Sequence, residues 1–310
     1  MRVLFWGTPE FAVPPLRALI GEGFDVVGVV TQPDKPVGRS RSKLEAPPIK
    51  LIALEESLPV LQPDKPRGDE FIAQIRALEP DISVVVAYGH LLPSDVISLP
   101  RLGTLNIHAS LLPSLRGAAP IQAAIRDGHT ETGVTIMRMV KALDAGPILL
   151  QARTPVPADE TYGELQLRLA EMGAMALIEA LALIDIGQAT ETPQDDTLAT
   201  YAGKVGRDQT RVDWTADAST VSRVIRAFDP RPGAFTQSSS GEVKLFGARL
   251  APRTSEQPPG EVLSVDDEGL TVACGSGAVR VANVHPAGKR RIAPSEWARG
   301  RGISVGERLF

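Results

Sequence analysis

The sequence predicts an α/β fold, a Rossmann-like, doubly wound and mostly parallel sheet followed by a small C-terminal β-barrel of the OB type. Short β-branched segments alternate with helical patterns over the first half of the 310-residue chain, and five short alternating segments with Gly and Pro between them fill the last third. Such alternation is typical of parallel strands joined by crossover helices. The length also exceeds what one hydrophobic core usually serves, which favours two domains.

The strand segments of the first half lie at 3–6, 26–31, 82–87 and 104–108, and the helical patterns at 14–22, 49–56, 71–78 and 121–127. A hairpin-like pair follows at 133–139 and 147–155, with Asp144 in its connection. Next, Thr161 and Glu164 have the spacing of a capping box, which predicts a helix from there to about Ile186. Polar and turn residues then dominate up to about Asp213, as expected of a linker.

The last third predicts a helix at 216–228 and strands at 233–236, 242–246, 260–265, 269–273 and 278–284. We therefore expect a catalytic domain over 1–188, a linker over 189–208 and a barrel domain over 209–310. Barrels of the OB type often bind nucleic acid. Residues 206–310 hold 15 Lys and Arg against 12 Asp and Glu, whereas the rest of the chain is acidic. This asymmetry gives weak support to a polyanionic partner.

Composition excludes several classes of protein. No apolar run has the length of a membrane span, and nothing marks the start of the chain for secretion or import. The lone Cys274 excludes an internal disulfide and a cysteine metal site, which fits a reducing cytoplasm. Neither a dinucleotide nor a P-loop glycine motif occurs, and the four histidines lack ligand spacing. We expect neither a metal nor a nucleotide cofactor.

Asn106 and His108 stand two residues apart where an apolar strand ends. Side chains on a strand alternate faces, so both share one face with Cα atoms roughly 6 to 7 Å apart. An amide that donates to an oxyanion and an imidazole that handles a proton are what acyl transfer requires. An arbitrary pair of this kind would more often satisfy a turn and a buried hydrogen bond. Asp144, before Gly146 and Pro147, would by default be a turn residue.

The stretch from Asn106 to Gly117 resembles the folate-dependent formyltransferases, whose signature is an N-I-H strand end, S-L-L-P and a loop ending in Arg-Gly or Lys-Gly. The segment 142–149 is similar to the L-D-x-G segment of that family and puts Asp144 where the family keeps its catalytic carboxylate. Segments 7–12, 31–36 and 116–122 resemble the branch that formylates methionyl-tRNA. The resemblance extends to about Leu263 and beyond it only to 286–289.

The resemblance implies formyl transfer from the co-substrate 10-formyltetrahydrofolate to the amino group of initiator methionyl-tRNA, by direct attack through a tetrahedral intermediate, as a step of translation initiation. It implies that Asn106 holds the oxyanion, His108 moves a proton to the departing folate nitrogen, and Asp144 orients His108. It places the folate among Val86, Tyr88, Gly89, Ser110, Leu111, Leu112, Pro113 and Leu143. His90 stands where relatives have an apolar residue, which favours an ordinary loop histidine. We further expect a monomer.

The loop from Asp34 to Pro48 is rich in positive charge, and by composition alone it predicts a solvated turn. In the family this loop enters the acceptor stem of the tRNA. Its segment 38–44 is slightly longer than the family's usual G-R-G-x-K-L, so the sequence leaves open which of its basic residues contacts the tRNA. Phosphate contacts are also expected in the C-terminal domain. The candidate tRNA-binding residues are Lys35, Arg39, Arg41, Lys43, Lys289, Arg290 and Arg291.

Two other functions fit parts of this pattern. A formyltransferase acting on glycinamide ribonucleotide or on an amino sugar-nucleotide would share the strand end. This chain has no glycine-rich phosphate loop after the first strand, which argues against the ribonucleotide enzyme, and the extra barrel argues against both. A non-catalytic RNA-binding protein on the same fold would not need Asn106, His108 and Asp144 together. All three are present.

Overall fold

The computed structural model describes residues 1–37, 43–252 and 257–310. Their contacts divide the chain into two units, each collected from three segments. The first unit comprises Met1–Gly117, Thr132–Thr154 and Gln166–Tyr201, and the second comprises Ala118–Glu131, Pro155–Leu165 and Ala202–Phe310. Because these units interleave along the chain, the division at 188 and 208 stays a prediction.

A seven-stranded sheet organises the first unit. In chain order the strands up to residue 155 are β1 (Arg2–Gly7), β2 (Asp25–Val30), β3 (Lys35–Val37), β4 (Lys43–Glu45), β5 (Val60–Leu61), β6 (Ile82–Val86), β7 (Thr104–His108), β8 (Glu131–Arg138) and β9 (Ile148–Pro155). The sheet has the order β5-β2-β1-β6-β7-β8-β9. Its pairs from β5 to β7 are parallel, whereas β7 and β8 are antiparallel. The predicted mostly parallel sheet is confirmed.

The helices of this part of the chain begin at residues suited to a first turn. They are α1 (Val13–Gly21), α2 (Pro48–Glu55), α3 (Asp69–Ala77), α4 (Ser94–Ile97), α5 (Pro120–Arg126) and α6 (Tyr162–Asp185). Proline stands in the first turn of α1, α2 and α5, where its missing N–H costs nothing. At α6 the predicted capping box is confirmed, since the Thr161 amide donates to the Glu164 carboxylate at 2.9 Å and the Glu164 amide to the Thr161 hydroxyl at 3.4 Å.

The core of the first unit lies along β1 and β6, which are buried almost throughout. Trp6 packs edge-to-face on Phe71 and on Tyr88, with ring centroids 5.8 and 5.3 Å away. Its indole N–H donates to the Ser83 hydroxyl at 3.1 Å, so the buried polar atom is satisfied. Burial on both faces explains why these strands read as continuous apolar runs.

A two-stranded antiparallel ribbon forms where the sequence predicted only a loop. Strand β3 pairs with β4, with Lys35 opposite Glu45. Directly before the ribbon in the chain, Asp34 accepts from the Lys50 ammonium at both carboxylate oxygens, at 2.8 Å, and from the Gln62 amide at 2.9 Å. Strands of three residues rich in charge and Pro carry no periodic signal, which is why the prediction was wrong.

The second unit holds α7 (Ala218–Ala227), β10 (Ala234–Ser238), β11 (Gly241–Leu250), β12 (Val262–Asp266), β13 (Gly269–Ala273), β14 (Ala278–Pro286) and α8 (Pro294–Arg299). Its five strands form an antiparallel sheet in the order β10-β11-β14-β13-β12. All five were predicted from the sequence. Helix α8 was not.

Residues 306–310 close this sheet into a barrel. On one side the Gly306 amide donates to Val262 O at 2.9 Å and the Leu309 amide to Gly260 O at 2.8 Å. On the other side Phe310 and Gln237 exchange two backbone hydrogen bonds of 3.0 and 2.8 Å. The segment therefore lies between β12 and β10, the two edge strands, and satisfies donors and acceptors that an open edge would expose. Within the described ranges, no helix has the length and apolar character needed to span a membrane.

Candidate active site

The site lies at the carboxyl end of β7, in the first unit. Asn106 is paired in register with Val85 of β6 and Met137 of β8, and His108 with Thr135 of β8. Asn106 is half-buried, and its side-chain amide makes no hydrogen bond within the described part of the chain. Next to it in the sheet, His108 is only 5% exposed. A half-buried amide without a protein partner is a donor available to a ligand.

His108 and Asp144 are brought together across the sheet end. The Nδ1 atom of His108 lies 3.7 Å from Asp144 Oδ2, and both side chains are largely shielded from water. The same carboxylate oxygen accepts a 2.7 Å hydrogen bond from the Gly117 amide. Asp144 has a φ of +48°, in a region that Asp and Asn tolerate better than other side chains. The turn and the Gly117 amide together therefore aim the carboxylate at the imidazole.

The other ring nitrogen of His108 faces Leu115. Its Nε2 atom lies 3.0 Å from the Leu115 carbonyl oxygen. Because a carbonyl only accepts, this nitrogen carries a hydrogen. Leu115 itself has a φ of +59°, and its amide donates to the Thr200 hydroxyl at 2.8 Å. The imidazole thus lies between a carboxylate and a carbonyl, in an orientation fixed from both sides.

The predicted wall from Ser110 to Pro113 is a tightly bonded turn. The Ser110 hydroxyl donates to Ser114 O at 2.5 Å, and the Thr135 hydroxyl bonds Ser110 O at 2.7 Å and the Leu112 amide at 3.2 Å. Gln151 donates to Leu112 O at 2.9 Å. The Ser110 hydroxyl is therefore used inside the turn, which argues against its acting as a nucleophile.

The segment after β6 offers the site mainly backbone polar groups and few side chains. The ring of Tyr88 is 1% exposed within the core, its hydroxyl has no partner in the described ranges, and burial raises its pKa to about 12. Its carbonyl oxygen accepts from Thr8 and Gln32, both at 2.9 Å. Val86 is also buried, and Gly89 has a φ of +93°. His90 is exposed, with its ring 5.8 Å from that of Tyr88.

Among the remaining predicted pocket residues, Leu143 stands beside Asp144 with 49% of its surface exposed, whereas Leu112 is buried. Leu111 and Pro113 are half-buried. An exposed leucine next to a buried carboxylate leaves apolar surface available to a flat ligand. No three His, Cys, Asp or Glu side chains in the described residues come together as metal ligands.

Sequence reasoning missed two residues that hold the site together. Arg116 is 3% exposed, and its guanidinium bonds Gln194 and Asp196. Burial by itself lowers the pKa of Arg116, but its hydrogen bonds to Asp196 and Tyr201 outweigh burial and raise that pKa. Gln194 comes from the polar stretch that the sequence predicts as a linker. No local pattern could have linked it to a strand end so distant in sequence.

The candidate phosphate-binding residues are exposed wherever they are described. Lys35 and Lys43 lie on the ribbon of β3 and β4, whereas Arg39 and Arg41 lie outside the described residues. In the second unit Lys289, Arg290 and Arg291 follow β14.

Arg291 is held in place more firmly than its two basic neighbours. Its guanidinium lies 4.1 Å from the centroid of the Phe246 ring and 3.7 Å from the buried carboxylate of Asp229. Arg290, in contrast, pairs with Glu296 at 3.5 Å, and both side chains are exposed. Arg291 is therefore partly a structural residue of the barrel.

Comparison with known families covers nearly the whole chain. A family model described as formyl transferase matches residues 1–181, and one described as formyl transferase, C-terminal domain, matches residues 204–302. A methionyl-tRNA formyltransferase of Aromatoleum aromaticum is 47% identical over 309 residues, covering 100% of this chain and 97% of that protein. Those of Pseudomonas entomophila and Moorella thermoacetica are 46% and 43% identical, with 97% and 100% of this chain and 96% and 99% of theirs covered.

Solved structures share the fold at lower identity. HypX from Aquifex aeolicus in complex with tetrahydrofolic acid has a TM-score of 0.69 and 22% identity, over 99% of this chain and 48% of that one. The sugar 3N-formyl transferase WlaRD, with dTDP and 5-N-formyl-THF, has a TM-score of 0.65 and 16% identity, over 91% of this chain and 97% of that one. At these identities the similarity concerns the fold alone.

Proposed function

The chain belongs to the methionyl-tRNA formyltransferase family, and from that premise we propose that it transfers the formyl group of 10-formyltetrahydrofolate to the amino group of initiator methionyl-tRNA. The products are N-formylmethionyl-tRNA and tetrahydrofolate. The observation that carries the proposal is the arrangement at the end of β7, where Asn106, whose amide has no partner among the described residues, shares a strand face with His108 of the His108–Asp144 pair. A hydrogen-bond donor beside an imidazole–carboxylate pair suits the transfer of an acyl group to an amine.

The reaction makes one bond and breaks another at the formyl carbon. The lone pair of the methionyl amine attacks that carbon, and the carbonyl electrons move to the oxygen to give a tetrahedral oxyanion. When the carbonyl re-forms, the bond to the folate nitrogen breaks. The amine gives up one proton and the folate nitrogen gains one. The site must therefore stabilise negative charge on one oxygen and move a proton between two nitrogens.

Asn106 is proposed as the donor to the oxyanion. Its amide is half-buried, has no protein partner in the described residues and stands at a strand end, where ligands of such sheets bind. A donor fixed by two neighbouring strands needs little reorganisation as charge develops on the oxygen. Preorganised donors of this kind account for a large part of the acceleration in acyl transfer.

His108 is proposed to carry the proton to the departing folate nitrogen. Its Nε2 already donates to Leu115 O at 3.0 Å, so a substrate nitrogen must compete with that carbonyl for the hydrogen. Asp144, 3.7 Å from Nδ1, lies close enough to stabilise the ring while it is positively charged and to keep its orientation. The carboxylate keeps its own position through Gly117.

The pterin pocket is proposed to lie between the end of β6, the Ser110–Pro113 turn and Leu143. The buried ring of Tyr88 makes the backbone of 88–89, and not that ring, the candidate contact for the heterocycle. The exposed face of Leu143 supplies apolar surface. A flat ligand rich in donors and acceptors requires this combination of backbone polar groups and an apolar wall.

The tRNA is proposed to contact the ribbon residues Lys35 and Lys43 with Arg39 and Arg41, and the group Lys289, Arg290 and Arg291. The support is their positive charge and, for the described ones, their exposure. We also propose the division into a catalytic domain (1–188), a linker (189–208) and a tRNA-binding barrel (209–310). The protein would act as a monomer in the cytoplasm.

One assay tests the proposed function directly. Radiolabelled formyl transfer is measured with initiator methionyl-tRNA, glycinamide ribonucleotide and an amino sugar-nucleotide as competing acceptors. The expected result is transfer to methionyl-tRNA alone. Transfer to a small amine and none to methionyl-tRNA would overturn the proposal in favour of one of the rival formyltransferases.

A further inference from the structure

The side chain of Gln194 connects the two loops that carry the candidate site. Its Nε2 donates to the backbone carbonyl oxygens of Asp144 and Gly146, both at 2.8 Å. Its Oε1 accepts from Nε and Nη2 of Arg116 at 3.1 and 2.8 Å. Both N–H groups and the carbonyl of one amide are thus used at near-ideal lengths.

The Arg116 end of this connection is firmly anchored. The guanidinium also donates to Asp196 Oδ1 at 2.7 Å, and the backbone amide of Arg116 donates to Thr200 O at 2.8 Å. The Arg116 side chain is almost fully buried, so water has little access to its guanidinium, although the Asp196 carboxylate is exposed. Gln194 therefore holds the 142–146 turn against a rigid support.

The Asp144 turn needs such a support. Its φ of +48° lies in the left-handed region, which a side-chain-bearing residue adopts at some cost even where Asp tolerates it, so contacts from the surroundings help to keep it there. The carboxylate direction follows from this backbone, and the 3.7 Å approach to His108 depends on it. Two carbonyl groups of the turn, those of Asp144 and Gly146, accept from the same amide.

We propose that Gln194 is a positioning residue for the transfer reaction, which sets the carboxylate of Asp144 against His108 by holding the backbone of the 142–146 turn. The inference rests on the proposed function. It assigns a chemical role to the segment that follows α6, which composition alone marks as a linker. Gln194 contacts no reacting atom, so its loss should lower turnover without weakening the binding of either substrate.

The decisive variant is Gln194→Glu. Glutamate keeps the acceptor for Arg116 but has no N–H for the two carbonyl groups, so it breaks the connection on the Asp144 side only. The matched control is Gln188→Glu, the same change at an exposed position of the same segment. Two quantities are measured: steady-state kcat and KM for both substrates, and hydrogen exchange of the Gly117 amide, which donates to Asp144 Oδ2.

For Gln194→Glu we expect kcat to fall by about 10- to 100-fold, as for a catalytic group displaced by up to about 1 Å, while both KM values stay within about threefold. Exchange of the Gly117 amide should accelerate about tenfold, since its partner moves away. The Arg116 amide, bonded to Thr200 O, should exchange as in the wild type. Gln188→Glu should match the wild type in all respects.

Wild-type kcat and wild-type Gly117 exchange in Gln194→Glu would overturn the inference, as would a loss confined to KM. If wild type and Gln188→Glu both lack transfer activity, the proposed function fails, and the exchange of Gly117 still decides the positioning role. Should Gln194→Glu not fold, Gln194→Ala removes the same donors without adding charge. It is expected to give the same two losses, and their absence would refute the role.

Discussion

The Nε2 atom of His108 lies 3.0 Å from the carbonyl oxygen of Leu115, on the side of the ring away from Asp144. Both nitrogens of the imidazole thus face oxygen atoms of the protein. A substrate nitrogen that is to receive the Nε2 proton must replace the Leu115 carbonyl as its acceptor. The peptide that carries this carbonyl is itself held, because its Arg116 amide donates to Thr200 O at 2.8 Å, so the substrate has to take the proton while this peptide stays in place.

We predict that His108→Ala and Asp144→Asn each lower turnover by at least ~100-fold, the low end of what a positioned acid or base contributes. Asn suits the positive φ of position 144, so the turn should persist while the negative charge is lost. Turnover is measured at saturating folate and tRNA, with affinities determined separately. Near wild-type turnover in either variant would contradict the roles assigned to this pair.

Asn106→Asp should be at least as damaging as Asn106→Ala, although it preserves the shape of the side chain. The aspartate offers an acceptor and a negative charge where a donor to an oxyanion is required. Loss of one such donor costs ~3 to 4 kcal/mol of barrier. Single-turnover rates of both variants check this order, and a fully active Asn106→Asp enzyme would exclude the oxyanion role.

Neutralising Arg39, Arg41 and Lys43 together to Gln should weaken tRNA binding and flatten its salt dependence. For every phosphate that the protein no longer neutralises, the slope of log K against log salt decreases in magnitude by roughly one unit or slightly less. Folate affinity should not change, and Lys65→Gln, an exposed lysine elsewhere, is the charge control. A lower folate affinity with an unchanged tRNA slope would instead assign the loop to a small-molecule site.

Asp217→Ala should lower the free energy of unfolding of the C-terminal barrel by ~1 kcal/mol at pH 7, as for loss of an N-cap. Asp217 caps α7 through the Thr220 amide at 3.0 Å, and its hydrogen bonds to the Thr220 hydroxyl and amide lower its pKa below 3.8. A depressed carboxyl pKa stabilises the fold above the unfolded pKa, and this contribution disappears as pH falls through the folded value.

Urea unfolding of Asp217→Ala, of the wild type and of the exposed control Asp267→Ala, at pH 7 and near pH 3, measures this effect. The difference between Asp217→Ala and wild type should shrink at the lower pH, whereas Asp267→Ala should differ little at either. An equal loss at both pH values would show that the cap acts without its charge.

Much of the scaffold follows from local pattern. Strand β7 was predicted at its observed bounds, because the apolar residues Leu105 and Ile107 alternate with polar residues, which is the period of a strand. The capping box located the start of α6 for a similar reason. Asp144 could be identified as a candidate site residue only through the family resemblance, since an aspartate before Gly and Pro is equally typical of an ordinary turn.

What the sequence could not predict depends on contacts between distant residues. Gln194 reaches Arg116 across 78 positions and Asp144 across 50, and no periodicity encodes such distances. Tyr88 was expected at the pocket, but its ring turns into the core beside Trp6, because the chain bends after β6 with a positive φ at Ala87. The fold, and not the local sequence, decides which side of a strand end a residue faces.

The closing segment of the barrel constrains how the protein is made. Residues 306–310 complete the hydrogen bonding between β12 and β10, so the barrel lacks its last strand while those residues are still inside the ribosome. The first unit contains no residue beyond Tyr201, so all its segments are synthesised before the barrel is complete. Until the closing segment has left the ribosome, a nascent chain exposes the edges of β10 and β12. Unpaired edges favour edge-to-edge aggregation, so the closing segment also protects the finished barrel against it.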